Sequence, residues 1–308
     1  MTKIAITGAS GLYGRLATAK LIALGRARDL ILMTRSPDRL ADLAAQGCTV
    51  RFGDYDRPKT LGAAFAGADR LLLISGTRVG ARVAQHCAAI AAAKAAGEVH
   101  IAYTSFIGID DPANPAEVRH DHFATEQALK ASGLAWTMLR DAHYADAMIV
   151  MAGPGTMASG EWVSNAGEGR EAMVWREDCV ACAVAVLTSE GHEGRTYNIT
   201  GPELQTFGEV AALMAEITGR PIAYRAVSDA GQYALFDAMG IPRRPVDDLS
   251  VAGIPWNSDD MVTFGQAIRE GFLAVCSGDV ERLLGRPARS VRAMIEANVE
   301  MLRESTPS

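Results

Sequence analysis

Cysteine is scarce in this chain, and long apolar runs are missing. Its five cysteines are an odd number scattered over 308 residues, which is typical of reduced thiols in a cytoplasm and excludes a dense disulfide framework. No stretch approaches the roughly 18 consecutive apolar residues of a membrane span, and no secretory leader precedes the first apolar segment. We therefore expect a cytoplasmic protein without a membrane partner.

A strong charge of either sign is also lacking. The net charge is −6, which excludes bulk electrostatic attraction to nucleic acid or to an anionic membrane. The chain is 49% hydrophobic and 21% charged, an ordinary globular composition, and it is long enough for one large core or two smaller ones. We expect no nucleic-acid partner. The sequence leaves the oligomeric state open, a homo-oligomer included.

The informative stretch is the N-terminal one. Residues 3–7 predict a short buried strand, and apolar residues at helical spacing follow over 12–24. Between them stand Gly8, Gly11 and Gly14. In a dinucleotide-binding turn the first glycine permits the tight turn, the second lets the backbone approach a pyrophosphate, and the third lets the helix pack closely on the strand. The helix N-terminus then offers N–H groups to the phosphates, so the sequence predicts a nucleotide site.

An arginine stands where such a site reads the adenosine ribose. The second predicted strand, residues 29–34, is followed by Arg35, whereas an NAD site usually has an acidic residue here that binds both ribose hydroxyls. A guanidinium suits a 2′-phosphate, so the sequence predicts NADP(H) in preference to NAD(H). Arg39 either joins this contact or is a solvated surface residue. Asp54, after the third predicted strand, either contacts the adenine or caps the next helix.

Predicted strands alternate with predicted helices in the first part of the chain. The strands are expected at 3–7, 29–34, 48–52, 70–75, 99–104 and 135–139, with helices at 12–24, 37–46, 79–96 and 117–131. This alternation predicts an α/β fold with a doubly wound parallel sheet (Rossmann), whose ligands bind at the carboxyl ends of the strands. We assign residues 1–150 to a dinucleotide-binding domain, to which 176–200 return, and 151–308 mainly to a smaller substrate or lid region.

After residue 140 this alternation ends. Residues 151–169 are rich in Gly, Ser and Thr and predict loops with short strands. Thr206, with Glu209 three residues later, predicts a capping box that opens a helix. Further helices are expected at 177–187, 207–217, 230–239, 259–276 and 289–302, and extended segments at 196–199 and 221–227.

Several sequence blocks together resemble one enzyme family. The blocks are Thr7–Gly14, Phe52–Pro58, Leu73–Gly76, His100–Ser105, His122–Leu129 and Trp136–Arg140. Through them, about residues 1–220 resemble the NmrA-like group of atypical short-chain dehydrogenase/reductases, and within it the triphenylmethane and quinone reductases. The resemblance does not extend to the last part of the chain, including residues 241–260.

The resemblance implies a Rossmann fold that binds NADP(H) and a small aromatic substrate. It places His122 at the catalytic position of the group, and we expect catalytic roles for His122 and for the nearby aromatic Tyr144. The residues that it places at the cofactor are Gly8, Ser10, Gly11, Leu12, Tyr13, Arg35, Asp54, Ser75, Gly76, Thr104, Ser105 and His122.

The acid–base pair of ordinary short-chain dehydrogenases is missing. These enzymes reduce ketones with a Tyr-x-x-x-Lys pair, in which the tyrosine protonates the developing alkoxide. The only such spacing here joins Tyr55 to Lys59, and Pro58 between them prevents the helix that the pair requires. We interpret this match as chance.

His122 stands where many members of the group carry the lysine. As a neutral imidazole it could hydrogen-bond the nicotinamide ribose, and as an imidazolium it could donate a proton. The alternative is an ordinary histidine at a helix start on the surface. Glu126, one helical turn later, either orients His122 or pairs with Lys130.

Without a strong acid, the acceptor has to tolerate hydride addition alone. An alkoxide, with a water-like pKa of roughly 16, needs a proton donor, whereas a hydroquinone at about 10 can leave as an anion and a cationic triarylmethane dye needs only hydride. Tyr144, His143 and Trp175 are candidate pocket residues or ordinary aromatics. Asp141 replaces an asparagine that is common in the group, so an amide donor is lost there.

We therefore expect a reductase of quinones or other electron-poor aromatics. The alternatives are another NADP-dependent enzyme of aromatic compounds (a benzylic ether or enone reductase, an isomerase or a lyase) and a non-catalytic NADP-binding redox sensor. Neither the C-x-x-C pair Cys179 and Cys182 nor the histidines His120, His122 and His143 have the spacing of a metal site, so we expect no metal.

Overall fold

The computed structural model describes residues 2–97, 100–246 and 257–304. The strands of these residues are β1 (Ile4–Ile6), β2 (Leu30–Thr34), β3 (Thr49–Phe52), β4 (Arg70–Leu73), β5 (His100–Phe106), β6 (Trp136–Asp141), β7 (Glu161–Ser164), β8 (Arg195–Ile199) and β9 (Ala223–Ala226). The fifth strand was expected to begin at Val99, which lies outside the described residues.

The α-helices of the described residues follow the same alternation in the first part of the chain. They are α1 (Leu12–Ala23), α2 (Ala41–Ala44), α3 (Leu61–Phe65), α4 (Arg82–Ala96), α5 (Glu117–Ser132), α6 (Ala145–Ser159), α7 (Arg176–Thr188), α8 (Phe207–Thr218), α9 (Asp229–Ala238), α10 (Ser258–Arg269), α11 (Asp279–Leu284), α12 (Val291–Ala297) and α13 (Val299–Glu304). None of them, within the described ranges, is both long and apolar enough to cross a membrane.

The main sheet is doubly wound, as the sequence predicts. Its seven parallel strands lie in the order β3-β2-β1-β4-β5-β6-β8, and β1 pairs with β2 and β4. The chain crosses from one side of β1 to the other between β3 and β4, which places the topological switch point between β1 and β4. Strands β1 and β2 are buried throughout, because helices cover both faces of a parallel sheet. Ligands of such a sheet bind at the carboxyl ends of the strands next to the switch point.

The chain forms two compact units. The first unit comprises Met1–Phe106, Asp121–Arg140 and Cys179–Tyr197, and the second comprises Ile107–His120, Asp141–Asp178 and Asn198–Ser308. The assignment of a dinucleotide-binding domain to 1–150 and of a substrate or lid region to 151–308 stays a prediction, because compactness does not say what each part binds.

An apolar core fills the first unit. Its buried side chains come from strands β1, β2, β4, β5 and β6 and from helices α3, α4 and α5. The members include Ile31, Met33, Leu61, Phe65, Leu71, Leu73, Ala89, Ile90, Ile101, Tyr103, Leu129 and Met138. Burial of these apolar surfaces, at about 25 cal/mol per Å², supplies most of the stabilisation of such a core.

Helix α6 contradicts the sequence prediction for its part of the chain. Residues 151–169 were expected to form loops with short strands, but α6 continues to Ser159, whereas β7 and the turn and loop at residues 165–169 match the expectation. The helix forms because it packs on α13 within the second unit. At Gly153 a Cβ atom would lie only 2.6 Å from Cδ2 of Leu302, so glycine is the residue that permits this packing. Here tertiary packing outweighs low helix propensity.

Two predicted helices of the second unit are shorter than expected. The helix expected at 259–276 ends at Arg269, and Gly271 follows in a left-handed conformation with φ of +84°. The helix expected at 289–302 is divided into α12 and α13 around Asn298. The capping box of α8 is confirmed: Thr206 accepts from the N–H of Glu209, and Glu209 accepts from the N–H of Thr206.

A buried carboxylate joins the C-terminal segment to α7 within the second unit. Asp178 is fully buried, and its oxygens accept hydrogen bonds from Arg286 Nη2 at 2.7 Å and from the backbone N–H of Arg289 at 2.9 Å. Burial alone would raise the pKa of Asp178, but the two arginines hold it below its usual value. The carboxylate therefore stays charged and requires both partners.

Candidate cofactor and substrate sites

The glycine turn between β1 and α1 has the geometry of a phosphate-binding loop. Gly8 has φ of +56°, which favours glycine, and its carbonyl accepts the N–H of Gly11 at 2.9 Å. At Gly14 a Cβ atom would lie 2.6 Å from Cα of Ala9. The tight turn at Gly8 and the close packing at Gly14 are thus confirmed. Gly11 is less crowded than Gly14. A Cβ atom at Gly11 would have the Gly8 carbonyl oxygen as its nearest neighbour, at 3.2 Å.

The first turn of α1 keeps its N–H groups for an anion. Gly11 is the N-cap, and among the described residues no side chain caps this helix end and no acidic residue stands in its first turn. The first N–H groups of an α-helix have no acceptor within the helix itself, and in α1 this first turn begins at Leu12. Ser10 is fixed by a 3.0 Å hydrogen bond that its hydroxyl oxygen accepts from Thr34. This cradle fits a pyrophosphate.

Arg35 leaves the end of β2 with an exposed side chain. The nearby carboxylate of Asp56 is held by Gln85 at 2.9 Å and by Arg78 at 2.6 Å. The Gln85 hydrogen bond, and then the charges of Arg78 and Arg35, hold the pKa of Asp56 below its usual value. Gln85 and Arg78 thus hold the Asp56 carboxylate by direct contacts, whereas Arg35 acts on it only through its charge. The N–H donors of the Arg35 guanidinium can therefore be directed to a ligand. Arg39 is exposed as well; its N–H donates to the Ser36 carbonyl at 3.1 Å, and its own carbonyl accepts from Arg15.

Asp54 closes a turn after β3. Its Oδ1 accepts the N–H of Asp56 at 3.0 Å, and its own N–H donates to Thr60 at 3.0 Å. No side chain caps the short helical turn Pro58–Thr60 that follows, so the expectation that Asp54 caps the next helix is wrong. The adenine contact stays a prediction.

The turn after β4 is fixed by buried side chains of the first unit. The N–H of Ser75 donates to Thr104 Oγ1 at 2.8 Å, and the N–H of Gly76 donates to His86 Nε2 at 3.1 Å. The carbonyl of Gly76 accepts from Arg82 Nε at 2.6 Å. The structure thus brings Ser75, Gly76 and Thr104 together at the carboxyl ends of β4 and β5, and their contact with a cofactor stays a prediction.

The hydrogen bonds around His86 determine its tautomer. The hydroxyl of Thr125 donates to the Asp121 carbonyl at 2.8 Å, so its oxygen accepts a hydrogen bond from the N–H at Nδ1 of His86 at 3.0 Å. Nε2 is then free to accept the N–H of Gly76. Burial and the charge of Arg82 lower the pKa of His86 to about 3, which keeps the ring neutral.

His122 lies in the core of the first unit and not on its surface. It is 7% exposed, and its Nδ1 lies 2.8 Å from the hydroxyl of Tyr103. Burial, followed by the charge of Arg82, holds the pKa of His122 well below its usual value. The alternative of a surface histidine is therefore wrong, and the ring is neutral at physiological pH. Burial also raises the pKa of the Tyr103 phenol, which stays protonated.

Glu126 does not orient His122. Its carboxylate is fully buried and accepts from Ser105 Oγ at 2.7 Å and from Arg140 Nε and Nη2 at 2.9 and 2.7 Å. Nζ of Lys130 lies 3.6 Å from Oε2 of Glu126, so the predicted pair with this lysine is confirmed. The bidentate Arg140 contact shows that Glu126 and Ser105 join α5 to β5 and β6.

In the second unit, Tyr144 and Asp141 form one pair. The hydroxyl of Tyr144 donates to Asp141 Oδ2 at 2.7 Å, and the guanidinium of Arg176 lies 4.8 Å from the centre of the Tyr144 ring. Asp141 is 2% exposed, so the acceptor of this hydrogen bond is a buried carboxylate.

The other two candidate pocket residues also lie in the second unit. Nδ1 of His143 lies 3.0 Å from Glu171 Oε1. Trp175 donates to the Ser290 carbonyl at 3.1 Å, and Arg289 stacks on its ring at 3.8 Å, which indicates a structural role for this tryptophan. Within the described part of the chain, no group of three or more His, Cys, Asp or Glu side chains could hold a metal ion. Cys179 and Cys182 are both buried.

Sequence reasoning missed His86 and Tyr103. A signal for His86 existed, since it shares the apolar face of α4 with Ala89, Ile90 and Ala93 at helical spacing and was therefore due to be buried. Tyr103 stands within an otherwise apolar strand, but its partner His122 is 19 residues away, which no local pattern reveals.

Comparisons with known proteins agree with this geometry. The family model described as NAD(P)H-binding matches residues 8–190. Quinone oxidoreductase 2 of Escherichia coli is 36% identical over 247 residues, covering 80% of this chain and 85% of that protein. An NAD(P)H azoreductase of Xenophilus azovorans is 28% identical and covers 86% of this chain and 88% of its own length.

Solved structures show the same fold over almost the whole chain. The NADPH complex of the Escherichia coli quinone oxidoreductase superposes with a TM-score of 0.86 at 32% identity, covering 97% of this chain and 99% of that one. Triphenylmethane reductase of Citrobacter sp. gives a TM-score of 0.86 at 31% identity, with 97% and 100% covered. The chain therefore belongs to the NAD(P)H-binding family and is an NAD(P)H-dependent oxidoreductase.

Proposed function

We propose that this protein uses NADPH to transfer a hydride to a quinone or another electron-poor aromatic acceptor. The relatives named above are a quinone oxidoreductase, an azoreductase and a triphenylmethane reductase, so all three names denote reduction of a conjugated acceptor. The cytoplasmic location expected from the few reduced thiols stays a prediction.

The observation that carries this proposal is the state of His122. A neutral, buried imidazole bonded to Tyr103 cannot serve as the strong acid that an alkoxide product requires. Because the Tyr103 phenol is protonated, its O–H can donate to Nδ1 of His122, which leaves an N–H at Nε2 to bind a ribose hydroxyl. His122 then positions the cofactor, and the acceptor has to be one that hydride reduces readily.

Each predicted cofactor residue has a role in this proposal. Gly8, Gly11 and the first N–H groups of α1, at Leu12 and Tyr13, bind the pyrophosphate together with Ser10. Toward the adenosine end of the cofactor, Arg35 binds the 2′-phosphate and Asp54 contacts the adenine. Toward the nicotinamide end, the contacting residues are Ser75, Gly76, Thr104, Ser105 and His122. Tyr144 belongs to the substrate side.

The preference for NADPH over NADH rests on Arg35. Its exposed guanidinium presents a planar fork of donors that matches a phosphate dianion, and no acidic residue replaces it at the end of β2. Asp56, the neighbouring carboxylate, is neutralised by Arg78 and so does not repel the phosphate.

An oxidation screen tests the proposed function. NADPH consumption is followed with a benzoquinone, a cationic triarylmethane dye and an aromatic ketone, with NADH in parallel. We expect turnover of the quinone and the dye, little turnover of the ketone, and a higher kcat/KM with NADPH. Tight NADPH binding in calorimetry together with no turnover of any acceptor would contradict the proposal and favour a redox sensor.

A further inference from the structure

Two buried charged residues of the first unit lie against the segment that joins β4 to α4. We call residues 76–80 of this segment the β4–α4 loop. It follows β4 next to the topological switch point, where ligands of a doubly wound sheet bind. Arg82, the first residue of α4, is 9% exposed, and Asp121 of α5 is 4% exposed. The loop and both side chains belong to the first unit.

Both side chains bind the backbone of the β4–α4 loop. The guanidinium of Arg82 donates from Nε to the Gly76 carbonyl at 2.6 Å and from Nη2 to the Thr77 carbonyl at 3.3 Å. Oδ2 of Asp121 accepts the N–H of Gly80 at 2.7 Å. Nη1 of Arg82 lies 4.0 Å from the same carboxylate oxygen, so the two residues also form an ion pair. The loop is thus anchored at both of its ends.

Asp121 also reaches Gly76 through a chain of three hydrogen bonds. Its carbonyl accepts from the Thr125 hydroxyl at 2.8 Å, whose oxygen accepts from Nδ1 of His86 at 3.0 Å. Nε2 of His86 accepts the N–H of Gly76 at 3.1 Å. The carboxylate of Asp121 therefore binds one end of the loop, and its carbonyl supports the other end.

The position of Arg82 is unfavourable for the stability of the fold. The dipole of a helix repels a cation at its N-terminus, and burial adds a desolvation cost. Among the described residues, the first turn of α4 has no acidic side chain, so the counter-ion Asp121 comes from another helix. Nη1 of Arg82 is buried and has no hydrogen-bond partner in the described part of the chain. A local cost of this kind is typical of a functional position.

The charge of Arg82 also acts on the buried histidines near this loop. Burial is the main cause that lowers the pKa values of His86 and His122, and the charge of Arg82 is the next one. Arg82 is therefore close enough to interact electrostatically with His122, the residue proposed for the nicotinamide ribose. The loop and its two anchors thus lie in the neighbourhood of the nicotinamide end of the proposed cofactor site.

We infer that Arg82 and Asp121 are positioning residues for the nicotinamide half of NADPH, because they hold the β4–α4 loop in the conformation that receives it. This inference rests on the proposed function, in which Ser75 and Gly76 contact that half. Without the two anchors, a loop with glycines at 76 and 80 samples many conformations, and binding has to order it at a cost in conformational entropy. A preformed loop avoids this cost, so the anchors raise the affinity for NADPH through the loop.

The test compares the whole cofactor with its adenosine half. Calorimetry measures the affinity for NADPH and for adenosine 2′,5′-bisphosphate, which carries the 2′-phosphate but no nicotinamide. The variants are Arg82→Gln and Asp121→Asn, and both are compared with the unchanged protein. Hydrogen exchange without cofactor reports directly on the N–H groups of Gly76 and Gly80, and melting temperatures recognise a general folding defect.

The matched control is Arg70→Gln. Arg70 stands at the amino end of the same strand, β4, and likewise donates to two backbone carbonyls, those of Val186 and Ser189. It therefore tests the loss of an arginine that supports backbone in the first unit but does not contact the β4–α4 loop. Neither affinity should change in this variant, even if its melting temperature falls.

We expect Arg82→Gln to weaken NADPH binding by about tenfold or more and to leave the affinity for adenosine 2′,5′-bisphosphate unchanged. The amides of Gly76 and Gly80 should exchange faster in this variant. Asp121→Asn keeps the size of the side chain and an acceptor for Gly80, so it should show the same selectivity with a smaller loss. If Arg82→Gln does not fold, the ratio of the two affinities in Asp121→Asn decides.

Equal losses of affinity for both ligands would overturn the inference, because they would mean a general disturbance of the unit. An unchanged NADPH affinity in the folded variants would overturn it as well, whether or not the loop amides exchange faster. A failure of the proposed function gives a different result: the unchanged protein then binds no NADPH, or binds it and reduces no acceptor. In the second case the comparison of affinities still decides the role of Arg82 and Asp121.

Discussion

At the scale of single residues, His122 is a neutral positioning group and not an acid. We expect His122→Asn to keep most of the quinone turnover, because asparagine retains a hydrogen-bonding side chain. The kcat profile between pH 5.5 and 8.5 should be the same in both proteins, since the buried ring does not titrate there. A loss of three orders of magnitude, with a histidine-like step vanishing from the profile, would make His122 the catalytic acid.

Arg35 should decide which dinucleotide binds. A charge-assisted hydrogen bond contributes about 1.5–3 kcal/mol. Arg35→Ala should therefore weaken the binding of NADPH tenfold to a hundredfold and leave the affinity for NADH almost unchanged. Calorimetric titration of both cofactors measures this. Arg39→Ala is the matched control, because Arg39 is also exposed and its backbone contacts to Ser36 and Arg15 survive the substitution. Equal affinities for NADPH and NADH in the unchanged protein would contradict the preference.

Among single residues, the sequence predicted those roles and contacts that depend only on residues close by in the chain. Gly8 and Gly14 could be assigned because a strand and a helix stand directly on either side of them. The contacts of Glu126 could be predicted only for Lys130, four residues away on the same helix face. The stronger partner, Arg140, lies on another element, and its distance depends on how β6 pairs in the sheet.

At the scale of elements, two glycines of the turn between β1 and α1 should have different roles, Gly14 in stability and Gly11 in cofactor binding. A Cβ at Gly14 would overlap the backbone of Ala9, so Gly14→Ala should lower the free energy of unfolding by about 1–3 kcal/mol. Gly11→Val places its branched carbon toward the ligand side, where only the Gly8 carbonyl is near. It should abolish NADPH binding with a smaller loss of stability. Denaturant titration and calorimetry measure the two effects, and the opposite assignment of effects would place the nucleotide elsewhere.

The elements of the first unit were predicted more accurately than those of the second. Strands such as β2 and β4 are continuous apolar runs between turns, so their pattern is local. Helix α6 contains Gly153, Pro154 and Gly155, and its composition predicts a loop. It is helical because α13, about 145 residues later in the chain, packs on Gly153, and a contact at that separation leaves no trace in local composition.

At the scale of the whole molecule, buried histidines should make stability depend on pH. The pKa values of His86 and His122 are lowered by burial, to about 3 for His86, so the unfolded chain binds protons below about pH 6.5 that the folded chain does not. The free energy of unfolding should therefore fall as the pH decreases from 7 to 4.5, by up to about 1.4 kcal/mol per pH unit for each histidine.

Denaturant titrations at several pH values without cofactor measure this slope. His86→Gln should lower the dependence of the unfolding free energy on pH by the contribution of one histidine. This reduction is expected even if the substitution changes the free energy of unfolding at pH 7. A free energy of unfolding that stays constant between pH 7 and 5 in the unchanged protein would contradict the assignment of neutral buried histidines.

The buried carboxylate of Asp178 has a consequence for biosynthesis. Its partners, Arg286 and Arg289, are translated 108 and 111 residues after it, whereas the first unit is complete once Tyr197 has been added. At about 5–20 residues per second, a ribosome needs roughly 5–20 s to add the residues between Tyr197 and Arg289. During that interval the nascent chain can form its first unit, while Asp178 remains hydrated until the last helices emerge from the exit tunnel.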